Sequence, residues 1–238
     1  MNRKHSRAPL RAAVGYIIAL FFLSTTSFAQ DGDRPTSRWF YGAYLGLNLA
    51  TISNSETGFG PATVAAGKTT NRSGFKLGEY FNFPLTGKLS FQPEGIYAQN
   101  GVMVQTTDGS NGKVSVQLNY FELPMLLRYD FAVAHKFHPM LIGGASGAYR
   151  QRCSLKTSIQ GQVVQEQCNK LLDRSADPFK KFDASLVSGG AIETVFQGRP
   201  ISLQVRYTYG LVGIATSIAD GSNVRNRALS FMVGFGNR

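Results

Sequence analysis

The stretch WFYGAYLGLNLATIS, residues 39–53, alternates strictly. Its odd positions carry Trp39, Tyr41, Ala43, Leu45, Leu47 and Leu49, and its even positions include Gly42, Tyr44, Gly46 and Asn48. Successive side chains of a strand point to opposite faces, so this segment has one apolar face and one small or polar face. A membrane barrel turns the first face to lipid and the second to its lumen. The pattern recurs at 74–83, 89–99, 114–129, 137–149, 182–196, 201–209 and 227–235. With the opening stretch these make eight strands.

Connection lengths orient them. The links 84–88, 130–136 and 197–200 are short, and they alternate with the longer links 54–72, 106–113, 151–181 and 211–226. Outer-membrane barrels have short periplasmic turns and long extracellular loops, which puts both termini in the periplasm. Aromatics fit the same frame. Trp39, Phe83, Tyr129, Phe137, Phe196 and Phe235 fall near the periplasmic ends, and Tyr97, Phe121, Tyr149, Phe182 and Tyr209 toward the other. Two interfacial girdles are expected of a barrel. The expected fold is therefore all-β: an eight-stranded antiparallel up-and-down transmembrane β-barrel over residues 39–238.

Residues 1–29 read as a signal peptide. Arg3, Lys4, Arg7 and Arg11 precede an apolar run from Ala12 to Leu23, too short to span a bilayer, and Ser27-Phe28-Ala29 suits cleavage before Gln30. Residues 30–38 then form a short periplasmic segment, and the expected location is the outer membrane. Only helices and closed barrels satisfy the backbone in lipid, and no later segment is apolar enough for a transmembrane helix. Removing the leader lowers the formal charge from +11 to about +7. A modest positive charge without a basic cluster on one element excludes nucleic acid as an expected partner. Outer-membrane lipid and lipopolysaccharide are the expected surroundings, with an envelope protein as a further partner. Cys153 and Cys168 are the only cysteines, and in an exported chain they are expected to form a disulfide on a cell-surface hairpin built from the long link 151–181.

Six segments in order resemble the outer-membrane β-barrel domain family of the Bacteroidota, the porin-family or PorT-like proteins. They are GAYLGLNLATIS (42–53), GFKLGEYFNFPL (74–85), LSFQPEGIYAQNG (89–101), LNYFELPMLLRYDF (118–131), FKKFDASLVSGGAIE (179–193) and RYTYGLVGI (206–214). The resemblance implies the barrel and its membrane, and by its label a place in an envelope secretion machinery. Glu79 departs from the family pattern. It falls on the outward phase, where a bulge near Tyr80 or a shallow depth would accommodate it.

The inward phase places Lys76, Glu94, Glu122, Arg128, Asp183, Glu193 and Arg206 in the lumen. Strand direction puts Glu94 and Glu122 opposite Arg206, Arg128 with Glu193, and Lys76 with Asp183. Buried charges must be paired, so the residues read either as a structural network or as a gated ion path. Eight strands enclose a space that side chains fill. Glu94 and Glu122 could in principle serve acid–base work, but a closed interior excludes substrate. His135 and His138 fall in the second periplasmic turn and read as surface residues. Residues 60–69 lack phosphate-loop spacing. No catalytic residue, cofactor or metal is expected. The expected function is structural or interactive, through the extracellular loops; the alternatives are a narrow passive channel or a part of a secretion machinery.

Overall fold

A computed structural model describes residues 39–53, 67–106, 113–131, 136–159, 162–168, 179–214 and 224–237. The expected leader, the segment 30–38 and His135 lie outside the described residues. The strands are β1 (Phe40–Ile52), β2 (Gly67–Pro84), β3 (Leu89–Thr106), β4 (Lys113–Asp130), β5 (Phe137–Ile159), β6 (Gln162–Gln167), β7 (Phe182–Phe196), β8 (Arg199–Gly210) and β9 (Asn226–Asn237). Eight of them pair antiparallel with their neighbours in the wall. β4 joins β5, β5 joins β7, and β1 joins β9 to close the circle. No wall strand is left with an open edge, the condition for crossing lipid. β6 stands outside the wall and pairs only with the end of β5, from Ser154 to Ile159.

The expected strands are present, but three run further on the extracellular side. β2 starts at Gly67, β3 continues to Thr106 and β5 continues to Ile159. The extensions obey a different rule from the membrane portion. On β4, Phe121, Leu123, Met125, Leu127 and Tyr129 are exposed while Tyr120, Glu122, Leu126 and Arg128 are buried. Above them Val114, Val116 and Leu118 are buried and Lys113 is exposed. The crossover is marked by a bulge at Asn119–Tyr120, where three successive residues of β4 are buried. Lipid rewards an apolar exterior and water a polar one, so the phase of apolar residues inverts where the strand leaves the membrane.

A second irregularity lies between Asn71 and Lys76 on β2, opposite β3. Beside it Gly101 has φ +135, and a Cβ there would stand 2.0 Å from the Val116 carbonyl oxygen. Around Glu79 the register is unbroken: it faces Ala43 on β1 and Gly95 on β3. Of the two ways to accommodate it, a bulge near Tyr80 is absent, and Glu79 stays exposed on the outward face. The outer surface otherwise follows expectation. Trp39, Phe83, Tyr129, Phe137, Phe196 and Phe235 are exposed near the periplasmic end, and Phe121, Tyr149 and Phe182 toward the extracellular end.

The interior is filled. Tyr44 and Tyr80 stack with centroids 4.4 Å apart. Gly42 and Gly234 make room for them: a Cβ at Gly42 would lie 2.5 Å from the Tyr80 hydroxyl, and one at Gly234 2.5 Å from the Tyr44 ring. Leu126, Met140, Ile142, Val187 and Ala191 form an apolar cluster on the β4, β5 and β7 side. A larger cluster closes the extracellular end: Ile52, Val102, Val116, Leu118, Tyr120, Cys153, Cys168, Phe179, Ile214 and Val224.

Candidate functional site

The charged residues read as inward-facing are inward-facing, and six of the seven form three ion pairs. Arg206 on β8 grips Glu94 on β3 with two parallel bonds, Nη1 to Oε2 at 2.6 Å and Nη2 to Oε1 at 2.8 Å. Such a fork matches carboxylate geometry and adds direction to charge. Arg206 is held in turn by the Gln204 side-chain oxygen at 2.9 Å and lies 5.0 Å from the centre of the Tyr44 ring. Glu94 also accepts a hydrogen bond from Gln92. The Tyr44 hydroxyl accepts from Gln92 at 2.8 Å and from Gln204 at 2.9 Å, which ties β1, β3 and β8 across the lumen.

Arg128 on β4 meets Glu193 on β7 at 2.7 Å and donates to the Gln92 oxygen at 2.6 Å. The expected pairing of these two holds. So does that of Arg206 with Glu94. The placements of Glu122 and Lys76 do not: Lys76 contacts Glu122 at 3.0 Å, not Asp183, and Glu122 is not shared with Arg206. The reason lies in one small residue. Lys76 is opposite Ala98 on β3, which is opposite Tyr120 on β4. Ala98 leaves the lysine free to cross one strand and reach the next inward residue of β4. Glu122 is further held by Asn100 at 3.1 Å, Asn100 by Asn48 at 2.6 Å, and Asn48 by Ser230 at 2.9 Å. Asp183 sits higher, where Asn226 donates to it at 2.6 Å. Its Oδ1 has no hydrogen-bond partner among the described residues.

His138, read as a surface residue, is buried at 2 % exposure, with Nδ1 2.9 Å from Asp130 Oδ2. It is the first inward position of β5, whose start at Phe137 is the expected one, so it belongs to the strand and not to the turn. Tyr44, Gln92, Asn48, Asn100 and Gln204 are equally part of the network. They share the inward phase, on which Tyr44 and Asn48 were already placed; without charge, phase alone did not mark them as partners of the ion pairs.

The extracellular closure has its own polar fastening. Arg150, buried on β5, donates to the backbone oxygens of Phe179 at 2.9 Å and Lys180 at 3.3 Å. The Lys180 amide donates to Ile214 at 2.7 Å, and the Ile214 amide to Val224 at 2.8 Å. The described ends of two extracellular links are thereby drawn together above Tyr120. Beside them Cys153 and Cys168 form the expected disulfide, with Cα atoms 5.5 Å apart. It closes the β5–β6 hairpin, whose β6 residues are all exposed.

Cations surround this end. Lys113, Arg152, Lys156, Lys180 and Lys181 are exposed, and Arg225 and Arg227 are half-exposed. Arg227 lies 5.3 Å from the centre of the Tyr209 ring. The acids described near them are Glu166, exposed, and Asp183, largely turned inward. Glu94, Glu122 and Glu193 are thus already paired, while among the described residues the outward cations above the upper aromatics outnumber the acids.

Similar architectures are known. Neisserial surface protein A is 14% identical, with a TM-score of 0.44 over 82% of this chain and 95% of that one. Ail, the attachment invasion locus protein of Yersinia pestis, is 11% identical, with a TM-score of 0.38 over 83% and 98%. OprG from Pseudomonas aeruginosa is 14% identical, with a TM-score of 0.42 over 83% and 92%. No curated protein matches the chain by sequence. The sequence matches the outer membrane protein beta-barrel domain family over residues 28–215, well over half its length, and the structure completes the circle with β9. The chain belongs to that family: it is a small eight-stranded barrel of the outer membrane.

Proposed function

We propose that this protein is a sealed barrel that does not conduct and acts through its extracellular end. The carrying observation is the double closure of the lumen. Three ion pairs and their amide and hydroxyl partners occupy its depth, and the apolar cluster around Phe179, Ile214 and Val224 lies above them. Water would have to break paired charges in a low-dielectric space and then pass an apolar constriction. The reading includes export by a leader of residues 1–29 and the absence of catalysis. Glu94 and Glu122 are committed to cations and shut away from substrate.

The working surface is the disulfide-closed hairpin with the cations along it. Arg152 stands at the hairpin's foot above Tyr149, where phosphates of lipopolysaccharide begin, and Lys156 and Lys113 lie higher, at the levels of Gln165 and Ser158. Cations near an anionic lipid surface contribute about 1 kcal/mol each. The hairpin itself, rigid and fully exposed, suits an envelope or surface partner, and a role beside a PorT-like secretion machinery of the Bacteroidota is one form of that partnership.

Planar bilayers with lipopolysaccharide in one leaflet test the reading. The full-length protein should add no steps of conductance over tens of minutes, and lipopolysaccharide bearing phosphate should hold it more tightly than a dephosphorylated form. A stable wild-type pore would remove the proposal.

A further inference from the structure

One group on the outer surface is used by nothing described so far. Glu79 points outward from β2, between the exposed side chains of Leu77 and Phe81. Phe75 and Phe83 mark the two aromatic levels on the same strand, each four residues away. With a rise of about 3.3 Å per residue and a tilt of about 40°, the carboxyl lies roughly 10 Å from either level, near the middle of the apolar band. Its cross-strand neighbours are the two smallest available, Ala43 and Gly95. Aromatic pairs rise on both sides: Tyr41 with Phe81 below at 6.4 Å, Phe75 with Tyr97 above at 5.8 Å. The edge of Phe121 leans over Gly95, 3.6 Å from where a Cβ would be. Glu79 therefore stands in a shallow recess between two aromatic ledges.

Ionisable groups inside a membrane ordinarily face a protein interior and are paired. A polar group left in hydrocarbon without a hydrogen-bond partner is costly. Lipid head groups lie beyond the aromatic levels, too far to serve. Among the described residues, no Lys or Arg faces outward between those levels. The donor for Glu79 must come from another protein at the same depth.

We propose that Glu79 is the centre of a two-fold interface with a second copy of this chain. Copies in one membrane share an orientation, so the symmetry axis runs along the membrane normal and equal residues lie at equal depth. A two-fold contact through β1, β2 and β3 then sets Glu79 against Glu79 without further adjustment. The two carboxyls join by hydrogen bonds, an O–H of one donating to an oxygen of the other. Small neighbours permit the approach, as they do in other intramembrane contacts. This interface is separate from the extracellular end on which the functional proposal rests.

Cysteine cross-linking in phospholipid vesicles tests it with the full chain. Both native cysteines are in the disulfide, so an added thiol is the only free one. Leu77→Cys should cross-link to its own copy, and Leu186→Cys, on the outward face of β7, should not. Adding Glu79→Ala to Leu77→Cys should lower the yield about three- to tenfold, the range of intramembrane hydrogen bonds, whereas Glu79→Gln, whose amides also pair, should keep it. Glu79→Lys should lose self-linkage and regain it when mixed with the Glu79 protein, as mixed dimers beyond the statistical share. Gel mobility before boiling shows that each variant is folded. Equal yields at Leu77→Cys and Leu186→Cys, or no effect of Glu79→Ala, overturn the proposal. Absence of linkage at both positions does so too, and points to a different membrane protein carrying a cation.

Discussion

Below the upper aromatics the barrel holds its charges inside, beside an apolar cluster, and turns an apolar face outward; above them the charges lie outside and the interior is apolar. The lower lumen holds Arg206–Glu94, Arg128–Glu193 and Lys76–Glu122, and faces lipid with Leu123, Met125 and Leu127. The upper end encloses Val102, Val116, Leu118 and Phe179, and faces water with Lys113 and Lys156. One circle of strands passes through both. The lower part is specified by paired charges whose partners must all be present, and the upper part by apolar packing, which tolerates loss by degrees. Buried ion pairs contribute little net stability when intact yet are expensive to break, because the survivor is left alone in low dielectric. Cap residues lose what their contacts and the space they leave behind dictate.

The sharpest break of that contrast is Arg206→Ala. It strands Glu94, buried and with only Gln92 beside it. The expected loss is about 3–5 kcal/mol, read as a lower midpoint in a denaturant titration of the detergent-folded barrel. Replacing both partners, Glu94→Leu with Arg206→Met, should restore most of it, since an apolar pair of similar volume removes the stranded charge. A loss under about 1 kcal/mol for Arg206→Ala would mean the lower lumen is wet enough to solvate Glu94, and would undo the sealed reading as well.

Phe179→Ala should come next, at about 3 kcal/mol, from a buried aromatic removed and a cavity left above Tyr120. The effect should be additive with that of Glu94→Leu and Arg206→Met combined, because the two regions share no partner. Conductance should stay absent in Phe179→Ala, since the ion pairs below remain. Marked non-additivity would show that the cap and the pairs form one unit.

The lower region was the more legible in the sequence, for a physical reason. Lipid and a narrow lumen impose one rule on every wall strand, so period-two phase alone placed Glu94, Glu122, Arg128, Glu193 and Arg206 inside. Which partner each would choose depended on depth and on the size of what lies between. Ala98 decides for Lys76, and phase cannot show that. The upper region escaped because the same alternation carries the opposite meaning once the strand is in water. Val114 and Val116 keep the inward parity of Glu122 and Arg128, and what changes above Asn119–Tyr120 is which parity carries the apolar residues. His138 escaped although β5 starts at Phe137 as expected, because the inward phase it shares with Met140 and Ile142 was not applied to a polar ring beside a short turn. The disulfide was legible because the compartment and the count left one pairing.

The smallest effect on the barrel, and the largest on a single element, belongs to the disulfide. Cys153 and Cys168 enclose 15 residues of sequence separation, and in the chain-entropy model such a loop contributes about 3 kcal/mol, though the origin of that figure is disputed. The wall does not depend on it: β5 is already paired to β4 through Ser158 and to β7 through Tyr149. β6, in contrast, pairs with β5 alone, and every one of its side chains is exposed. A two-stranded ribbon without a packed face is marginal by itself. The double variant Cys153→Ser, Cys168→Ser should therefore shift the barrel's unfolding by no more than about 1 kcal/mol, the two buried sulfurs being replaced by hydroxyls of similar size. The hairpin should instead open to protease between β5 and β6, in intact cells and in vesicles, while the wild-type hairpin resists until a reductant is added. Cleavage of wild type at the same rate would show that pairing with β5 suffices. Loss of the whole barrel in the variant would show that the disulfide, and not only the apolar contacts of the cap, holds the wall together.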